Sequence, residues 1–321
     1  MRALVTGAGG FVGQWLCRAL LAEGWEVSGT TLGPPPEPGT LTAEQLRAVS
    51  WRAFDLRADA ERRTHAAFVE RQRPDAIFHL AGVSFVPEAG HDPDAAFETN
   101  VGAMVSLLTP LAAARAAGTL DPVVLVVGSA EQYGRHEAAE LPLTERHACR
   151  PRTFYAATKV AQEAFALAAH RADGLRVVAT RSFNHSGRGQ APQFLLPALV
   201  ARAVAARQAP GRSVAIGNTE VVRDFLHVED VTAAYIQLVA HGTPGEVYNV
   251  CSGSGVTVGE LAAEVLARAG VTASLAPDPA LQRAVDVPAL VGDAAKLRAA
   301  TGWTPRRTRA DIIDDLLDAA S

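Results

Sequence analysis

The strongest constraint on the fold of this chain is a glycine-spaced turn near its start. Thr6-Gly7-Ala8-Gly9-Gly10-Phe11-Val12-Gly13 follows the apolar run Ala3-Leu4-Val5 and opens a helical pattern from about Phe11 to Glu23, with Gly24 just past its end. Gly7 permits a tight turn, Gly10 lets a backbone approach a pyrophosphate, and Gly13 allows close helix–strand packing. The helix start then faces the phosphates with its unpaired N–H groups. A flexible glycine-rich turn is the alternative. The strand before and the helix after favour a dinucleotide site contacting Gly7, Gly10, Phe11, Val12 and Gly13.

The same strand–helix alternation continues. Strands are expected at 26–30, 51–54, 76–79, 123–127 and 175–180, and helices near 58–72, 95–117 and 152–172. The strands read as continuous apolar runs, as strands buried on both faces do. Residues 33–39, Gly-Pro-Pro-Pro-Glu-Pro-Gly, can only be a surface loop. The fold class is therefore α/β, a Rossmann-type doubly wound parallel sheet. After residue 181 the rhythm loosens: helices near 192–207, 229–240, 257–269, 293–300 and 309–319, and short strands near 213–216 and 246–250. This gives a dinucleotide-binding domain over 1–182, with returning segments from about 215–250, and a smaller mixed lobe over 183–321 that takes the substrate.

Selectivity for NAD calls for an acid about 20 residues after the glycines, on the ribose 2′-hydroxyl. No acid lies between Glu26 and Glu37, and no Arg sits on that strand end. The expectation leans to NADP(H) over NAD(H), with Thr30 at the strand end. Asp55, followed by Leu56, is placed either to meet the adenine or to cap the next helix.

Tyr155-Ala156-Ala157-Thr158-Lys159 sets a phenol and an ammonium at i and i+4, one helical turn apart on one face. A nearby ammonium favours the phenolate, so Lys159 is expected to lower the Tyr155 pKa and tune it for proton exchange with a carbonyl oxygen. Upstream, a strand ends in Val126-Val127-Gly128-Ser129, which puts Ser129 at the carboxyl edge of the sheet, where such folds bind ligands. Ser129, Tyr155 and Lys159 form the expected catalytic set. Glu131, two residues beyond Ser129, joins it as a candidate for moving protons.

Through Thr6–Gly13, His79-Leu80-Ala81-Gly82, Asn100-Val101-Gly102, Tyr155–Lys159 and Arg223-Asp224-Phe225, the chain resembles the extended short-chain dehydrogenase/reductases that modify sugar nucleotides. Phe183-Asn184-His185-Ser186-Gly187-Arg188-Gly189-Gln190, Tyr248–Gly253 and Asp286–Asp293 make it most similar to the GDP-6-deoxy-D-mannose reductase branch. It departs from that branch at Gly187-Arg188-Gly189-Gln190, where Gly-Pro-Gly-Gln is usual, and at Arg283-Ala284, where Arg-Pro is frequent. The resemblance implies that Leu80, Ala81, Gly82 and Asn184 line the dinucleotide, with Lys159 on the nicotinamide ribose. It implies that Arg223 and Arg283 contact the diphosphate or ribose, and that Asp286 accepts from a ribose hydroxyl. Ser129, Glu131 and Asn184 would face the sugar. His185 is as well explained by packing as by catalysis, and Asp230 is expected to cap the next helix. In this family the helices near 95–117 and 155–170 form a homodimer through four-helix packing; an intramolecular face is the competing explanation for their alanines.

The reaction implied is reduction of the C4 ketone of a 4-keto-6-deoxy sugar nucleotide, a GDP-sugar above others. A GDP-mannose 4,6-dehydratase, kept open by Glu131, and a C4 epimerase are the alternatives. A non-catalytic dinucleotide sensor is the remote one, because both Tyr155 and Lys159 are present. Cys17, Cys149 and Cys251 are far apart and odd in number, which speaks against a disulfide framework or a zinc site. The formal charge of -4 gives no bulk drive toward nucleic acid or an anionic membrane. No secretory leader and no apolar run of the roughly 20 residues that span a bilayer are visible, so a cytoplasmic location is expected.

Overall fold

The structure is a computed structural model. It describes residues 1–55, 59–208, 213–282 and 286–320, with the backbone alone for 59–63 and 208. Seven strands form the large sheet: β1 (Arg2–Thr6), β2 (Glu26–Thr31), β3 (Ser50–Ala53), β4 (Ala76–His79), β5 (Val123–Ser129), β6 (Arg176–Ser182) and β7 (Val247–Val250). Their order is β7-β6-β5-β4-β1-β2-β3, and every neighbouring pair is parallel. The winding reverses between β1 and β4, and that reversal opens a crevice at their carboxyl ends.

Both faces of the sheet are covered. Helices α1 (Phe11–Ala22) and α5 (Val228–His241) pack on one face, where Val5, Leu16, Leu20, Tyr235 and Leu238 form a core. Helices α2 (Asp59–Gln72), α3 (Ala103–Ala116) and α4 (Phe154–Asp173) cover the other, where Leu4, Phe68, Leu107, Val124 and Val177 are buried. Adjacent residues such as Leu4 and Val5 thus bury on opposite sides, which is why the strands lack alternation.

The smaller lobe has its own core of Leu196, Leu199, Phe225, Leu261, Ile312 and Ile313. Its centre is strand Val222–His227, which pairs with Gly255–Thr257, Ala289–Leu290 and Asn184–Ser186. Within the segment expected to return over 215–250, α5 and β7 join the large sheet, while strands Val214–Ile216 and Val222–His227 stay in the lobe; helix Ala295–Thr301 also packs on α5 and β7. Arg223 therefore lies inside a strand of the lobe.

The helix expected over 95–117 is three pieces. Helix Pro93–Phe97 and α3 flank a wide π-turn over Glu98–Gly102. The π-turn carries Asn100, fully buried, whose Oδ1 accepts from Val83 N at 2.8 Å and whose Nδ2 donates to Thr158 Oγ1 at 2.8 Å. Short helices Ala43–Ala48 and Val86–His91 have no counterpart in the sequence reading. Among the described residues no helix is long and apolar enough to cross a membrane, and no cluster of His, Cys, Asp and Glu could hold a metal.

Candidate active site

The glycine turn lies at the crevice mouth, with main chain pressed against Gly7 and Gly13. Gly7 has φ +69°, and a Cβ there would stand 2.9 Å from Ala81 N. A Cβ on Gly13 would stand 2.2 Å from Gly7 O. Gly10 is the N-cap of α1, no side chain caps that helix, and its first turn has no acid. Uncapped N–H groups beside a bare glycine cradle fit a pyrophosphate. Thr6 Oγ1 accepts from Ala81 N at 3.1 Å and bonds His79 Nδ1 at 2.9 Å, so the Leu80-Ala81-Gly82 segment is held against the turn. Phe11 stacks on His185 with ring centroids 6.3 Å apart, joining the turn to the smaller lobe. Thr30 is buried at the end of β2. Asp55 is half buried and has a partner. Leu56 and Arg283 lie outside the described residues.

Ser129 ends β5 and caps the short 3₁₀ turn Ala130–Tyr133, its Oγ accepting from Glu131 N at 3.2 Å. Thr153 caps α4 by accepting from Ala156 N, which fixes the first turn bearing Tyr155. Ser129 lies beside the Tyr155 hydroxyl, near enough to lower its pKa. Tyr155 is 8% exposed and Lys159 6%. The Lys159 ammonium donates to Val127 O and to Gln162 Oε1, both at 2.9 Å. Burial pushes the Tyr155 phenol up to about 12; Ser129 pulls it down and Glu131 pushes it further up. The expected lowering by Lys159 is thus not seen, because burial prevails and the ammonium is committed to Val127 and Gln162. Burial also brings Lys159 down to about 8.

Behind these groups runs a buried relay that the sequence reading missed. Gln132 Oε1 accepts from Ser129 N at 2.8 Å, and Gln132 Nε2 donates to Glu163 Oε2 at 2.9 Å. Glu163 takes a two-pronged hydrogen bond from Arg181, 2.9 and 2.7 Å long, and Arg181 lies over the Tyr133 ring. The i+4 spacing from Lys159 to Glu163 puts both on one helix face but points to neither Gln132 nor Arg181, so the sequence carried no signal for this relay.

On the lobe side, Asn184 is exposed and His185 is held by Phe183 O, with burial lowering its pKa. Arg223 is 5% exposed and donates to Asp286 Oδ1 at 2.6 Å and Val287 O at 2.7 Å, so two residues expected to meet substrate are joined to each other. Asp230 does not cap α5; His227 does, and Asp230 accepts instead from Arg306 N and Arg307 N, both at 2.9 Å. The site as built can hold a dinucleotide over the glycine turn and deliver a phenolic proton beside Ser129.

Comparison with known proteins gives the family and supports the fold. The model of the GDP-mannose 4,6 dehydratase family matches residues 4–316. The GDP-6-deoxy-D-mannose reductase of Pseudomonas aeruginosa is 36% identical over 236 residues, 73% of this chain and 76% of that protein. The dTDP-glucose 4,6-dehydratase of an Actinoplanes species is 30% identical over 286 residues, 85% of this chain and 83% of that one. Among solved structures, the RMD of Pseudomonas aeruginosa complexed with NADPH superposes with a TM-score of 0.82 at 32% identity, covering 99% of this chain and 98% of its own. The UDP-glucose 4-epimerase of Thermus thermophilus in complex with NAD reaches 0.85 at 26% identity, with coverage of 99% and 98%.

Proposed function

Because the chain belongs to the GDP-mannose 4,6-dehydratase family, whose relatives are sugar-nucleotide reductases, dehydratases and epimerases, we propose that it is an NAD(P)H-dependent reductase of 4-keto-6-deoxy sugar nucleotides. The preferred substrate is GDP-4-keto-6-deoxy-D-mannose and the product a GDP-6-deoxyhexose. The observation that carries this reading is the placement of Tyr155 beside Ser129 at the tip of β5, with Lys159 buried one turn on.

The bound nicotinamide supplies a hydride to the ketone carbon. Gly7, Gly10, Phe11, Val12 and Gly13 hold the dinucleotide from the turn, and Leu80, Ala81 and Gly82 from the strand beside it. Ser129 binds the ketone oxygen and keeps it at the Tyr155 hydroxyl. Tyr155, held neutral by burial, gives its proton to that oxygen as it becomes an alcohol. Lys159 reaches the nicotinamide ribose and supports the phenolate left behind. Asn184, Arg223, Arg283 and Asp286 take the sugar and its nucleotide. The β2 end, with Thr30 and no acid in the sequence between Glu26 and Glu37, favours NADP(H). Phe97, Phe154 and Phe165, which are 47%, 59% and 50% exposed, support a homodimer through α4 and the helix packed on it.

The test is NADPH oxidation on addition of the 4-keto sugar nucleotide. Tyr155→Phe should lower turnover by about two to four orders of magnitude with dinucleotide binding retained. Unchanged activity would reject the assignment. Glu131, which acts on Tyr155, favours a second reading as a dehydratase. Conversion of GDP-mannose without added reductant would establish that one instead.

A further inference from the structure

Gln162 shares the buried face of α4 with Lys159 and is 1% exposed. An ammonium offers three donors and no acceptor, so the amide must turn its oxygen toward Lys159. It does so at 2.9 Å. The consequence is visible at the other end: Gln162 Nε2 is buried with no hydrogen-bond partner. A leucine of similar size would carry no such unmet donor, and nothing else in the packing calls for an amide there. We infer that Gln162 is a positioning residue for Lys159, its amide oxygen and the Val127 carbonyl fixing two of the three ammonium N–H directions and leaving the third for the crevice. The inference rests on the reading of Lys159 as part of the reductase machinery.

Beside the fixed Val127 carbonyl, the surroundings leave Gln162 as the side chain that favours the charged form of Lys159. His79 faces the ammonium from β4, and its own pKa is lowered to about 3 by burial first and Lys159 next, so it is neutral. Gly82 approaches so closely that a Cβ there would stand 2.6 Å from Asn100 Oδ1 and 3.6 Å from Lys159 Nζ. Tyr155, one turn earlier on α4, is neutral too. Glu163 is the next residue along but is spent on Arg181 and Gln132. Glu131 acts on Tyr155 from the 3₁₀ turn. The amide oxygen therefore opposes the desolvation that draws the Lys159 pKa down.

The chain has two lysines, Lys159 and Lys296, so protein labelled with ¹³C-lysine gives two ε-methylene signals. Lys296 is half exposed and paired with Glu246, which makes it the internal control. Gln162→Leu should lower the Lys159 titration midpoint by about one pH unit, and Gln162→Glu should raise it by about one or more. Lys296 should stay put in both. Gln162→Met serves as a second apolar variant if the leucine form does not fold. Midpoints unchanged in the apolar variants overturn the inference, even where Gln162→Glu shifts them, because a new charge alone would do that. In kinetics, the alkaline limb of kcat should follow the same order. If the midpoints move and the limb does not, Gln162 still holds Lys159, and the assignment of Lys159 to the reduction is what fails.

Discussion

Lys159 carries an electrostatic cost that the fold accepts for its position. Its pKa falls from 10.5 to about 8 on burial, so below about pH 8 the folded state holds a disfavoured charge. The folded form loses that proton before the unfolded chain does, and the penalty disappears between about pH 8 and 10.5. The shift is worth about 3 kcal/mol. Lys159→Met should thus gain stability relative to the parent at pH 7, and the difference between the two should shrink by about that amount as the pH is raised past 10. Urea unfolding of both proteins at several pH values measures it; a constant difference would contradict the burial argument. In turnover the same titration appears as a loss of rate as pH rises through about 8, where the ammonium is given up. Tyr155, pushed to about 12, stays protonated across that range and is not the limiting group.

At the scale of elements, two devices hold the site, and they fail differently. The β1–α1 turn works by the absence of side chains. Gly13→Ala forces a Cβ to 2.2 Å from Gly7 O, a main-chain atom that cannot step aside. It should cost at least about 2 kcal/mol and abolish dinucleotide binding together, as read by thermal melts with and without NADPH. The relay from Ser129 through Gln132 and Glu163 to Arg181 works by complete pairing across β5, α4 and β6. Arg181→Met leaves the Glu163 carboxylate buried without its cation and should destabilise by about 3–5 kcal/mol. Gln132→Leu, which leaves the ion pair intact, should instead lower turnover by loosening Ser129, with a smaller loss of stability. The glycine device was legible in the sequence, since spacing between a strand and a helix is local. The relay was not, because Gln132, Glu163 and Arg181 meet only once three elements have packed.

For the whole molecule, the two lobes are clamped by a few long-range bonds. Trp15 Nε1 donates to Arg188 O at 2.9 Å, and Arg188 N donates to Asp315 Oδ2 at 2.6 Å. These seat the Gly187–Gln190 loop, where the chain departs from its resembled branch, between α1 and the last helix, Arg309–Ala320. If α4 forms the proposed dimer, replacing Phe154 and Phe165 together with Glu should yield a monomer by analytical ultracentrifugation, with unchanged oligomeric state as the contrary result. The sequence by itself determined the parallel sheet and the glycine turn, and it put Ser129, Tyr155 and Lys159 forward as candidates. Apolar runs, glycine spacing and a helical repeat act over a few residues and need no partner to be read. Only the tertiary structure decided that Arg223 answers Asp286, that Asp230 ties down Arg306 and Arg307 and does not cap a helix, and that Tyr155 sits near 12. Those outcomes depend on which groups lose water and which distant charges they meet, and burial and long-range pairing exist only after the chain has closed on itself.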